Sequence, residues 1–173
     1  MGGRGAYRNI TNGTKASTQT KKNRKRGNAS DKINNVIRDL RSPNGYSSQK
    51  PFAIGLVEKR MSDYADANDI ELSSKSIYIS TKSIAHAIRK SKNEKGLAVS
   101  AKHLADFPNV RRAMDLYYDG KSFIYTDYRT KYIIHPNYKI KINGKKVHKV
   151  NFVTAGRVTD PKEFTLKKYI KIY

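Results

Sequence analysis

Residues Tyr138–Thr154 read YKIKINGKKVHKVNFVT, and the turn that closes this stretch decides how the chain is built. Tyr138, Ile140 and Ile142 share one parity, and His148, Val150 and Phe152 share another, so each run has the period of a strand with one apolar face. Asn143-Gly144 between them is a hairpin signal. A two-residue turn there pairs Ile140 with Val147, which points away from the apolar set of its strand. A three-residue loop pairs Ile140 with His148 and Tyr138 with Val150, and keeps both apolar sets together. Because a slip of one residue turns every side chain over, the three-residue loop is expected.

Working outward, the alternation extends in both directions. Upstream, YYDGKSFIY (Tyr117–Tyr125) places a DG turn between two β-rich runs, and KYIIH (Lys131–His135) is a further run. Downstream, Phe164, Leu166, Ile170 and Ile172 fall on one parity, with Thr165, Lys167, Tyr169, Lys171 and Tyr173 on the other. Before Leu116 the period is helical. Ile33, Val36, Ile37 and Leu40 follow a Ser30 cap, and residues 56–68 read as a helix. After a short strand at Ile77 and Ile79, Ser80 or Thr81 caps a helix that holds SIAHAIRKSKNEKG (Ser83–Gly96). Another helix starts at Ser100 with Leu104 and Phe107, and Pro108 restarts the chain into a turn through Val110, Ala113 and Met114. The expected fold is α+β: N-terminal helices packed on a four- to five-stranded antiparallel sheet, preceded by a disordered basic arm. Its open face is expected to carry Lys149, Asn151, Tyr169 and Lys171.

Charge separates the two parts and points to a partner. Residues 1–50 hold 12 Lys+Arg against 2 Asp+Glu, a net of +10, with few large apolar residues. Such a segment cannot bury enough apolar surface to offset its ordering entropy, so 1–50 is read as a largely disordered arm and 51–173 as the domain. Within the arm, Lys21, Lys22, Arg24, Lys25 and Arg26 form either a phosphate-binding patch or a solvated run. The whole chain carries 36 Lys+Arg against 14 Asp+Glu, a net of +22. That excess opposes compaction and suits an anionic partner, nucleic acid first. There is no cysteine, so disulfides and thiolate metal sites are excluded. The first ten residues lack the apolar core of a secretory signal, and no apolar run of about 18 residues exists to span a membrane.

The residues also limit the chemistry. The acids from Ser76 onward lie mostly at turns or helix ends, with no paired spacing on a strand, so a two-metal site is not expected. No phosphate loop or dinucleotide fingerprint occurs. No cofactor is expected. Cleavage of RNA by its own 2′-OH needs only a base, an acid and cations for the phosphorane-like charge. On the 83–96 helix, Ile84 and Ile88 face the core while His86 lies on the opposite side with Lys82 and Lys90, and Arg89 is one turn along. Those cations should lower the pKa of His86 and favour the neutral base. A surface histidine on a solvated face is the alternative. His103 reads as a capping-related contact, His148 as structural, and His135 as a strand-end residue able to reach a cleft. In Phe152–Asp160, FVTAGRVTD, a strand Thr followed by Gly and Arg157 suits either a phosphate or a plain strand exit.

In order, YISTKSIAHAIRKSK, GLAVSAKHLADFPNV, YYDGKSFIY, KYIIHPNY, VNFVTAGRV and KKYIKIY resemble the phage-associated nuclease-like domains grouped with barnase, EndoU, colicin tRNases and RelE, over residues 70–173. The resemblance implies helices on a four-stranded antiparallel sheet and metal-independent ribonuclease activity. It points to His86 with Arg89, to Thr154 and Arg157, and to Tyr169 as catalytic. The expected partner is tRNA or mRNA and the expected location the host bacterial cytoplasm or the virion; a third reading is a scaffold whose positive surface docks an acidic protein, as an immunity or antitoxin protein would be. RNA contacts are expected from Lys82, Lys90, Lys92, His135, Lys149, Asn151 and Lys171. A barnase-type strand glutamate has no counterpart, since Glu94 lies in a loop and Glu163 outside the strand middles. A non-catalytic basic accessory protein that coats nucleic acid is the competing expectation.

Overall fold

A computed structural model describes residues 28–173 apart from 143 and 145; the expected patch at Lys21, Lys22, Arg24, Lys25 and Arg26 lies outside the described residues. The elements in chain order are α1 (Ala29–Arg41), β1 (Phe52–Leu56), α2 (Lys59–Ala67), β2 (Ser76–Ile79), α3 (Thr81–Ile88), α4 (Lys90–Glu94) and α5 (Ala101–Val110). After them come β3 (Asp115–Tyr118), β4 (Phe123–Thr126), β5 (Thr130–Ile142), β6 (Lys146–Val158) and β7 (Ile170–Ile172). Short 3-10 turns occupy Arg111–Ala113 and Pro161–Thr165.

The β5–β6 hairpin has the register that its apolar parity requires. Tyr138 faces Val150, Ile140 faces His148 and Ile142 faces Lys146, which leaves three residues in the loop. KYIIH and YKIKI belong to one long strand, β5, with an irregularity between His135 and Tyr138.

The sheet around the hairpin corrects the expected fold. It has seven strands in the order β1-β2-β6-β5-β4-β3-β7. Its β2–β6 pair is parallel, and α2 to α5 lie between strands in the chain rather than ahead of them. Three physical reasons account for the difference. Phe52 and Ile54 of β1 are buried while Ala53 is exposed, but the strand is only five residues long and its end merges with the helical pattern of α2. The β2–β6 pairing joins Ile77 to Asn151 and Tyr78 to Phe152, a contact between distant segments that local periodicity does not encode. Parity alone puts Phe164 and Leu166 in the last strand. Instead, Asp160 caps a 3-10 turn begun by Pro161, so Phe164 lies in that turn and only Ile170–Ile172 pairs with β3.

Helices cover one face of the sheet. Ile33, Val36 and Ile37 of α1, Met61 and Ala65 of α2, Ile84 and Ala87 of α3, and Leu104 and Phe107 of α5 share a core with Ile77, Ile79, Phe123, Tyr125, Tyr132 and Val153. The packed helix α1 thus lies on the arm side of residue 50. Its cap is Asn28, whose Oδ1 accepts from Asp31 N at 2.8 Å, while Ser30 donates to Ala105 O at 2.5 Å and ties α1 to α5. Phe107 and Tyr132 stack at 3.8 Å in the middle of this core. Pro108 stays inside α5 rather than restarting the chain.

The opposite face carries two smaller apolar clusters. One is Tyr117, Ile124 and Phe164; the other is Ile140, Val150 and Phe152, with Tyr78 against it. Beside the first, Lys131 is almost wholly buried and pairs with Glu163, which also accepts from Tyr169 and, at 2.6 Å, from Thr159. Burial alone would raise the Glu163 carboxyl, but these three donors outweigh it and hold the group at about 2. Burial pulls Lys131 down, and Glu163 opposes that pull. Because the carboxyl is depressed on folding, its contribution is complete above about 4.5 and is lost as pH falls from there to about 2. Acid titration of thermal stability checks this. The wild type should lose more stability across that window than Glu163→Gln.

Candidate functional site

β2 pairs with β6 only at Asn151 and Phe152, so the β6 edge beyond them needs another cover. The segment from α3 to Leu97 supplies it. Ser80 caps α3 by accepting from Ser83 N at 3.2 Å. Farther along, Lys92 Nζ donates to Gly156 O at 3.3 Å, and Val158 N donates to Leu97 O at 3.0 Å. Helix α3 is thereby laid beside the late strand, and sequence-distant candidates meet.

An open groove of about 520 Å³ lies between them. Pro51, Ser80, Lys82, Ser83 and His86 form one wall; Tyr138, Lys139, Ile140, Lys141, Phe152 and Thr154 form the other wall and floor. Among the described residues, no Asp or Glu lines it. Burial first, and then the charges of Lys92, Arg89 and Lys82, push His86 below its ordinary value, so its imidazole is neutral near pH 7. Thr154 is the extra residue of a β6 bulge opposite Ile133 and Ile134, and its hydroxyl donates to Ile133 O at 3.3 Å. Bulges re-aim side chains, which is how Thr154 reaches the groove.

The other expected site residues are distributed differently. Arg89 ends α3 with extended backbone, and this break carries Lys90 into a separate cavity with Arg41 and Arg89. Lys92 is buried and, among the described residues, makes no ion pair; burial first, then Arg89 and Arg157, lower its pKa. It acts on His86 as a nearby positive charge rather than as an exposed phosphate contact. Arg157 is exposed on β6 and outside the groove lining. Tyr169 is likewise outside it and gives its hydroxyl to Glu163. Burial, and then that bond, push the hydroxyl up, so Tyr169 is a structural donor.

Asn151 and Lys171, expected on an open face, are both engaged within the fold. Asn151 is fully buried, and its Nδ2 donates to Ser74 O at 2.6 Å and to Ser76 O at 3.2 Å. Lys171 pairs with Asp115 at 2.9 Å. Lys149 is exposed on the hairpin. His135 lies half-buried beside Tyr138, with ring centres 6.1 Å apart. His103 makes the capping contact, its Nδ1 2.9 Å from Ser100 Oγ.

Tyr138, Lys139, Lys141, Ser80 and Ser83 do not stand out in the sequence as ligand contacts. The alternating lysines of YKIKI are the signal for two of them. Among the described residues there is no cluster of three or more His, Cys, Asp or Glu side chains able to hold a metal ion, and no helix is long and apolar enough to cross a membrane. No protein-family model, curated protein or solved structure matches the chain.

Proposed function

We propose that this chain is a metal-independent endoribonuclease whose active groove runs between α3 and the β5–β6 hairpin. The observation that carries this reading is the meeting of His86 and Thr154 with Lys82 in one groove free of acids. Neutral His86 takes the proton of a ribose 2′-OH; O2′ bonds to phosphorus, the P–O5′ bond breaks, and O5′ leaves with a proton from water. Lys82, with Lys92 behind the histidine, supplies positive charge where the phosphorane-like transition state gathers negative charge. The Thr154 hydroxyl exchanges its bond to Ile133 O, 3.3 Å long in the free protein, for one to a phosphate oxygen. The resemblance to phage-associated nuclease-like domains supports the same chemistry.

A second reading is favoured by one specific feature: among the described residues the groove offers a single imidazole and no carboxylate. On that reading the protein is a non-catalytic accessory that binds nucleic acid. Incubation with a single-stranded RNA and its 2′-O-methyl analogue separates the two. Nuclease action predicts that both bind and only the unmodified RNA is cut. If both stay intact yet shift on a gel with a salt slope of about 0.7 per phosphate contacted, the protein is a binder.

A further inference from the structure

We infer that Tyr138 is a nucleobase platform, and that the groove takes single-stranded rather than duplex nucleic acid; this rests on the reading of the groove as an RNA site. Tyr138 stacks on Phe152 with ring centres 4.8 Å apart and planes 11° from parallel. Phe152 is 5% exposed, whereas Tyr138 is 41% exposed. One ring face is therefore braced by a buried aromatic, and ring surface remains free for a flat partner. Among the described residues the Tyr138 hydroxyl makes no hydrogen bond, so nothing in the fold requires its polar end.

The backbone holds this ring in place. β5 is irregular between His135 and Tyr138, and Asn137 there has φ +57. Asn137 Nδ2 donates to Glu71 O at 2.8 Å, which anchors the bend to the loop before β2. A bulge redirects the side chain of the next residue, and here that residue is Tyr138. A ring fixed in this way loses little freedom when a base settles on it.

The charges around the ring identify the ligand. Lys139 and Lys141 line the groove next to Tyr138, and Lys82 faces them from α3. Lys139 also stands directly opposite Lys149 across the hairpin. Like charges in that position destabilise a strand pair, so the arrangement suits a bound polyanion. A platform ringed by cations fits a base together with its phosphates. In a duplex each base face is already stacked on its neighbours, so only an unpaired nucleotide can offer one.

Affinity measured without cleavage tests the inference. Full-length protein carrying His86→Ala is titrated, in EDTA, into labelled single-stranded RNA of about ten nucleotides and into an abasic backbone of equal length and charge. The base-bearing strand should bind about tenfold more tightly. Adding Tyr138→Ala or Tyr138→Leu should erase that preference, and Tyr138→Phe should keep it. The leucine variant retains apolar packing on Phe152, so loss of the preference there reports the ring itself. A blunt RNA duplex should bind no better than the abasic strand. Equal affinity for the base-bearing and abasic strands, an unchanged preference after Tyr138→Leu, or tighter binding of the duplex overturns the inference. Absence of cleavage by the wild type would sink the nuclease reading and leave this affinity result standing; cleavage without base preference would do the reverse.

Discussion

His86→Ala is expected to lower RNA cleavage by about 10²–10⁴-fold, the range for loss of a positioned base, while RNA affinity changes little. Burial first, and then the cations at Lys92, Arg89 and Lys82, disfavour the protonated imidazole in the free protein. The acidic limb of kcat/KM, which reports the free enzyme, should therefore fall below the ordinary histidine value of 6.5. Bound phosphate brings negative charge and raises the histidine again, so the limb of kcat should lie at higher pH than that of kcat/KM. Lys82→Gln removes one of the three cations and should move the kcat/KM limb upward. Steady-state rates across pH check all three directions.

Glu58→Ala is expected to destabilise the protein by about 3–5 kcal/mol, because it strands a buried guanidinium. Arg111 is 2% exposed, and its Nη1 lies 2.7 Å from Glu58 Oε1 while its Nη2 donates to Leu56 O at 2.7 Å. Tyr125 also donates to Glu58 Oε1, at 3.0 Å, and Arg60 Nε holds the other carboxylate oxygen at 2.9 Å. This clamp ties β1 and α2 to the turn after α5, where no groove residue lies. Gly55 leaves it room. A Cβ there would sit 2.5 Å from Arg111 Nη2, at a φ of +154 that side chains rarely adopt. Replacing the pair together, as Glu58→Ala with Arg111→Met, should cost less than Glu58→Ala alone, since no charge is then left without its partner. Urea unfolding gives each value, and equal losses in the single and double variants would show that the ion pair is not the cause.

Local pattern carried much of the hairpin and little of the sheet around it. The parity of Ile140, His148, Val150 and Phe152 was enough to fix a three-residue loop, because a slip would have turned an apolar set outward. Ser80 was legible as one of two candidate caps and accepts from the backbone three residues on, whereas Ser30 read as a cap and Asn28 takes that place. The parallel contact of β2 with β6 was not legible, since two residue pairs joining positions 77–78 to 151–152 leave no period in the sequence. The same limit governed the site. His86 and Thr154 could each be singled out by residue type, but only tertiary packing brings them to one groove. Asn151, Lys92 and Lys171 looked like ligand contacts because polar residues are usually solvated. In the fold a loop carbonyl, a strand carbonyl and an aspartate take them. Tyr138 was hidden for the converse reason: its parity marked it as apolar packing, and its free ring surface depends on the bend at Asn137.

Metal-free cutting of RNA by His86 in the groove beside α3 is tested most directly with end-labelled RNA treated with wild type and with His86→Ala, both in excess EDTA. The expected result is wild-type cleavage that leaves 2′,3′-cyclic phosphate ends and is lost in the variant. RNA left intact by the wild type, or cut equally by the two proteins, would contradict it.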